Sequence, residues 1–259
     1  MAELSIAPAI TLFLAGVLAG VCNAVAGGGT LFTFPAFVAA GVPPVVANAS
    51  NAVAVWPGHA LAVVAYRREL AELIAGIRGT LIVTVCGGLV GALLLTIIDN
   101  AAFSRLVPFL ILLATALFAF GGPINRWLHR RAWSPTNGRP GLPIRLFECL
   151  AGIYGGFFGA GLGVMVMAGL QILGVSDLQT NNALKNLIAT AVTSVAVLVL
   201  VVSGLVSWPH TLVAFAGALL GGYGGARVAR VVPAGYLRVA VITVGLGLTL
   251  YYTNAYLLQ

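Results

Sequence analysis

Long apolar runs separated by short polar turns make up most of the chain, and two of the runs are cut near their middle by glycine. The first runs from about Ile6 to Ala40 and is broken at Ala26-Gly27-Gly28-Gly29-Thr30. Its first limb is long enough to span a bilayer, whereas the second, Leu31–Ala40, falls short of the ~20 residues a crossing needs. The turn Gly41-Val42-Pro43-Pro44 follows, and then the apolar stretches Val45–Tyr66, Thr80–Ile98 and Phe103–Phe120. After the basic, proline-bearing stretch Gly121–Arg145 the plan repeats. Leu146–Leu173 is broken at Gly155-Gly156-Phe157-Phe158-Gly159-Ala160-Gly161-Leu162-Gly163, the turn is Gly174-Val175-Ser176-Asp177, and Leu178–Leu205, Leu212–Ala229 and Leu237–Tyr256 follow. The pattern predicts an all-α polytopic membrane protein of two inverted repeats, each a glycine-broken helix pair followed by three transmembrane helices. The expected division is 1–121 for the first repeat, 122–144 for a cytoplasmic linker and 145–259 for the second repeat.

Hydrocarbon demands uninterrupted helix, because a bare peptide group there costs several kcal/mol. Consecutive glycines are poor helix formers, so a break must be sheltered by protein or by a wet cavity. The two breaks read as walls of one substrate site. The competing reading is that the glycines only let helices pack closely. The halves match beyond hydropathy: Gly41-Val42 parallels Gly174-Val175, and the run Asn48-Ala49-Ser50-Asn51-Ala52 parallels Ala183-Leu184-Lys185-Asn186-Leu187, which sets Asn51 against Asn186. Duplicated halves are a common transporter plan.

Charge orients the halves. If each broken segment folds back to the side on which it began, eleven of the thirteen basic residues share one side, with Arg105 opposite and Lys185 within a helix. If each break crosses instead, Arg227, Arg230 and Arg238 join Arg105 on the far side. The positive-inside rule favours the fold-back arrangement.

The chain is 60% hydrophobic and 7% charged, against roughly 25% charged in an average soluble domain. A soluble fold is excluded, and the net charge of +7 reads as topology and contact with anionic lipid rather than nucleic acid. Cys22, Cys86 and Cys149 have no metal or disulfide spacing. There is no nucleophile elbow, Walker-type phosphate loop or His-Glu-x-x-His motif, so neither an enzyme nor a cofactor is expected. The remaining partners are a small anionic substrate and membrane lipid, and a homodimer is compatible with the apolar faces.

Fold-back would bring the N-termini of both short limbs into the membrane interior. Their amides carry the positive end of the helix dipole, a device suited to a small anion. Gly27, Gly28, Gly29 and Thr30 on one side and Gly159, Gly161 and Gly163 on the other are the candidate backbone contacts. Lys185, with Asn182 and Asn186 beside it, would face the anion, because a lysine within a span usually faces the bundle interior; the alternative is that it snorkels to the interface. Asn48, Ser50 and Asn51 are the counterparts in the first half, able to bind a substrate oxygen or to tie helices together. His59, after Trp56-Pro57-Gly58, could carry a coupling proton. The acidic residues Glu3, Glu69, Glu72, Asp99, Glu148 and Asp177 all fall at or near segment ends, which argues against a metal-cation pathway and leaves His59 as the expected proton carrier.

The Gly27-Gly28-Gly29 break with Pro35, the Gly41-Val42-Pro43 turn, the Asn48-Ala49-Ser50-Asn51 run with Pro57-Gly58 and the second-half Gly159-Ala160-Gly161 together resemble the TauE/SafE family of membrane permeases. The resemblance covers nearly the whole chain. It implies a secondary exporter of sulfite or a related organosulfur anion such as sulfoacetate across the bacterial inner membrane. The alternative function is a facilitative, channel-like permease for another small anion or a neutral solute.

Overall fold

The computed structural model describes residues 5–25, 28–65, 67–130, 141–175, 177–228 and 234–258. Ten helices account for the secondary structure of these residues: α1 (Ile6–Val25), α2 (Thr30–Ala39), α3 (Pro44–Ala65), α4 (Arg67–Ile97), α5 (Asn100–Arg130), α6 (Leu142–Phe157), α7 (Leu162–Ile172), α8 (Leu178–Val202), α9 (Trp208–Val228) and α10 (Ala234–Leu257). Stretches of α1, α4, α5, α8 and α10 are long and apolar enough to cross a membrane, and the protein is a multi-pass membrane protein. At 1.5 Å per residue, the ten residues of α2 and eleven of α7 reach only about halfway across a ~30 Å core.

Two helices outrun their apolar stretches. α4 begins at Arg67 rather than Thr80, and α5 continues through Pro123 to Arg130. Residues 122–130, read from sequence as the start of the linker, are therefore helical. Hydropathy marks where lipid ends, not where hydrogen bonding ends. Pro123 has no N–H to give the Ala119 carbonyl four residues back, and the Arg238 guanidinium takes its place, donating to Ala119 O and Phe118 O at 2.7 Å each.

Packing follows an exchange of halves. The most extensive contacts are α1 on α9 and, equivalently, α4 on α6. Both pairs run parallel with glycine against backbone: a Cβ at Gly16 would lie 2.2 Å from Ala214 O and one at Gly221 2.0 Å from Val17 O, while Gly152 and Gly91 would meet Thr84 O and Ile153 O at 2.2 and 2.0 Å. Small residues let membrane helices approach this closely. The equivalent helices α5 and α10 run antiparallel, with Thr115 beside Gly245 and Phe118 beside Arg238.

Each broken segment is a hairpin. In the second half Gly155 lies against Leu162 and Gly169 against Phe147, so α7 turns back along α6. In the first half Gly28 meets Phe118 and Val241, while Phe34 packs on Phe103 and Tyr252. α2 therefore heads back to the end where α5 begins, and the start of α3 joins that end through Val45 N–H and Asn100 Oδ1 at 3.0 Å. Left-handed φ values of 90° at Gly28 and 82° at Gly161 make the reversals, a region that side chains with a Cβ rarely occupy. The turns after the short limbs match bond for bond: Val42 N–H to Phe37 O at 3.1 Å has its equivalent in Val175 N–H to Leu170 O at 3.0 Å.

Candidate functional site

Both hairpin tips end at one cavity of about 70 Å³. The first half supplies Asn23, Gly28, Thr30 and His59, and the second supplies Gly159 to Gly163, Met167 and one face of α8. That face carries Lys185, Asn186, Ala189 and Thr193, spaced as neighbours along a helix stripe. A smaller lobe of about 30 Å³ is lined by the matching stripe of α3, Asn51, Ala52, Val55 and His59, together with Asn48 and the end of α6. Thr30, His59, Gly159 and Thr193 line both lobes.

The stripes correct one reading. Asn51 is structurally equivalent to Lys185, and Ala52 to Asn186, rather than Asn51 to Asn186. Only Pro43 separates Val42 from the start of α3, whereas Ser176 and Asp177 separate Val175 from α8, so the register slips by one residue after the turn. By the same register His59 is the counterpart of Thr193, and this pair stands where the lobes meet.

The structure gathers most of the candidate residues and assigns some of them to scaffolding. Gly27 lies outside the described residues. Gly29 N–H donates to Asn23 Oδ1 at 2.9 Å, and the amides of Leu31 and Phe32 turn back to Gly28 O and Gly29 O at 3.0 and 2.9 Å. These amides are spent inside the tip, so what the tip offers an anion is chiefly the α2 dipole. Asn51 accepts from Thr33 Oγ1 and donates to Thr30 Oγ1 at 3.4 Å, which fastens α3 to α2. Asn48 donates to Phe157 O at 2.7 Å and tethers α3 to the second hairpin, leaving its Oδ1 in the small lobe without a partner among the described residues. Ser50 is away from both lobes, its hydroxyl accepting from Ser207 N–H at the start of α9 at 2.9 Å. Asn182 is half-buried and lines neither lobe; its neighbour Asn181 closes the α7–α8 turn, donating to Met167 O and Val175 O at 3.3 Å each.

Lys185, Asn186, Gly159, Gly161, Gly163 and Thr30 come together as expected. The Lys185 stem lies along Gly163, where an added Cβ would meet its Cδ at 3.4 Å. Tyr154 holds the second tip from behind, donating to Ala160 O at 2.6 Å. Thr193, Phe118 and Met167 were not singled out from sequence. Thr193 had a signal, since it lies two helical turns beyond Lys185 on the same stripe; Phe118 and Met167 read as lipid-facing or core positions.

A polytopic helical membrane protein whose two hairpin tips meet at a lysine-bearing cavity has the plan of transporters with discontinuous helices. The family model "Sulfite exporter TauE/SafE" matches residues 12–252, and the chain belongs to that family. A "Probable membrane transporter protein" of Haemophilus influenzae is 30% identical over 228 residues, covering 84% of this chain and 83% of the relative. "Probable membrane transporter protein YfcA" of Escherichia coli K12 is 27% identical over 219 residues, covering 84% and 79%, and "Probable membrane transporter protein ORF9" of a Sinorhizobium species is 28% identical over 244 residues, covering 92% and 90%. No solved structure matches the chain.

Proposed function

We propose that this membrane transporter is a secondary carrier that exports a small sulfur-containing anion, sulfite or a C2–C3 sulfonate such as sulfoacetate, across the bacterial inner membrane by alternating access. The observation that carries the reading is Lys185 in a cavity where the N-termini of α2 and α7 converge. A cation and two helix dipoles suit an anion and oppose a metal ion. The large lobe holds on the order of five water-sized groups, which fits an inorganic oxyanion; a C2–C3 sulfonate would occupy both lobes through the His59–Thr193 neck. The antiparallel α5–α10 pairing and the two hairpins support an inverted repeat, and the positive-inside rule then favours a cytoplasmic linker.

The test is sulfite binding to the purified protein by calorimetry. Lys185→Ala should weaken binding by ~10- to 100-fold, as loss of a charge-assisted contact of ~1.5–3 kcal/mol requires. Asn51→Ala should weaken it less, because Asn51 already spends its amide on Thr30 and Thr33. If the wild-type protein binds a neutral solute or a metal ion but no anion, the reading is wrong.

A further inference from the structure

Glu148 was expected at or near a segment end; it lies two turns into α6 and is 4% exposed, its Oε2 accepting from Arg145 Nη1 at 2.7 Å. Its Oε1 is buried with no hydrogen-bond partner among the described residues. It borders a cavity of about 10 Å³ together with Thr80 and Thr84 of α4, Val166 and Leu170 of α7 and Ile188 of α8, enough for about one water.

The other half of the molecule shows that packing does not require this carboxylate. The backbone contacts that make Gly16 equivalent to Gly152, and Ala214 to Thr84, put Leu12 in the place of Glu148, Ala9 in that of Arg145 and His210 in that of Thr80. Leu12 is fully buried, and α1–α9 is as tightly packed as α4–α6.

The geometry points to Glu148 as the proton-carrying group of the transport cycle, one helix away from the anion. This rests on the transport reading above. α7 separates the two cavities: Val166 and Leu170 border the carboxylate, while Leu162, Gly163 and Met167 line the anion lobe. Protonation forms one O–H bond at Oε1 with a proton from water, and release returns that proton; no other bond changes. The charged groups around it fit this role. Arg145 comes from its own helix, Thr80 and Thr84 from α4, whose Arg78 is exposed, and α7 and α8 present apolar side chains, Lys185 of α8 lining the other cavity. The Arg145 side chain is 28% exposed and can turn to water when the carboxyl is neutral, whereas Glu148 cannot. A sodium ion fits less well, because hard cations seek about six oxygens and one carboxylate oxygen is already held by the guanidinium. Neutralising the carboxylate removes a charge that repels the anion, so proton and anion each favour the other's binding, as linkage requires. A divalent anion carried with one proton keeps a net negative charge, which an interior-negative potential drives outward.

The experiment uses the full chain in proteoliposomes with labelled sulfite. Glu148→Gln should retain sulfite counterflow, which needs no net proton movement, and lose at least tenfold of the accumulation driven by an imposed pH gradient. Glu148→Asp should keep the response with a displaced pH profile. A Glu148→Gln protein that follows the pH gradient like the wild type overturns the proposal, as does uncoupling by His59→Gln alone or a response to sodium in place of protons. Absence of wild-type counterflow would sink the transport reading instead. The proton site is then read by infrared titration, in which the wild type should show a carboxylic-acid C=O band as pH falls that Glu148→Gln lacks. No such band overturns the proposal. If Glu148→Gln does not fold, the pair Arg145→Ala/Glu148→Leu, copied from Ala9 and Leu12, replaces it.

Discussion

The α1–α9 and α4–α6 pairs are the same device built twice. Both lay glycine directly on a neighbour's backbone, and both carry a hairpin tip to the Lys185 cavity. One pair has Leu12 and Ala214 where the other has Glu148 and Thr84, and it buries His210 in the place of Thr80; only the α4–α6 pair holds an ion pair, Glu148 with Arg145. Close packing in the membrane thus comes from the absence of side chains, and the ionic group is an addition to it. An isolated buried ion pair is weak evidence for a stabilising role; a twin without that ion pair in the same molecule supplies the missing reference.

The comparison breaks most severely at the glycines. Gly156→Ala and Gly221→Ala place a methyl 2.0 Å from Gly88 O and Val17 O. Each should cost about 3 kcal/mol, the upper end of ordinary overpacking, seen as a lowered unfolding temperature in detergent. Equal losses would confirm that the two pairs share their basis; a loss in only one would dissolve the equivalence. Smaller is the effect of Arg145→Ala/Glu148→Leu, which gives α6 the residues that α1 has at the equivalent positions. Stability should be unchanged or rise by about 1 kcal/mol, as when buried ion pairs give way to apolar groups, and the same melting curve measures it. The smallest effect sharpens the turn that shifts the register. Asp177 caps α8 by accepting from Thr180 N–H at 2.7 Å, and the Thr180 hydroxyl together with this amide holds its carboxyl below the usual range. Its contribution is complete above the unfolded carboxylate pKa of ~3.9 and is lost as pH falls through the lower folded value. Asp177→Asn should flatten that acid limb of a melting-temperature profile and leave neutral pH almost untouched.

Much of this was legible in the residues. Gly28 and Gly161 announced the breaks because few other residues reverse a helix in hydrocarbon, and Gly41-Val42 and Gly174-Val175 announced matching turns. The one-residue slip was not legible, since Pro43 and Ser176-Asp177 both read as turn and only the helix starts reveal which is longer. The burial of Glu148 was not legible for a similar reason. Leu146 opens the apolar run, but α6 is capped by Gly141 and starts at Leu142, so a residue near the edge of a hydropathy window is two turns into a helix and faces α4. Ser50 and Asn51 share a polar run, yet helix geometry sends one to α9 and the other to the cavity.

The shared neck of the two lobes has a kinetic consequence. His59 and Thr193 occupy equivalent positions, so in the alternating-access cycle proposed above an exchange of conformations between the halves would leave them facing the solute throughout, while Lys185 and Asn51 would trade places as the near wall. The trade is unequal, because one wall is charged and the other is an amide already engaged. Each 1.4 kcal/mol of difference between the walls is a tenfold difference in dwell time. Such a carrier would hold its cargo long on one side and briefly on the other. In that cycle the inequality would set how fast cargo leaves at each membrane surface, and the direction of net flow would be left to the gradients alone.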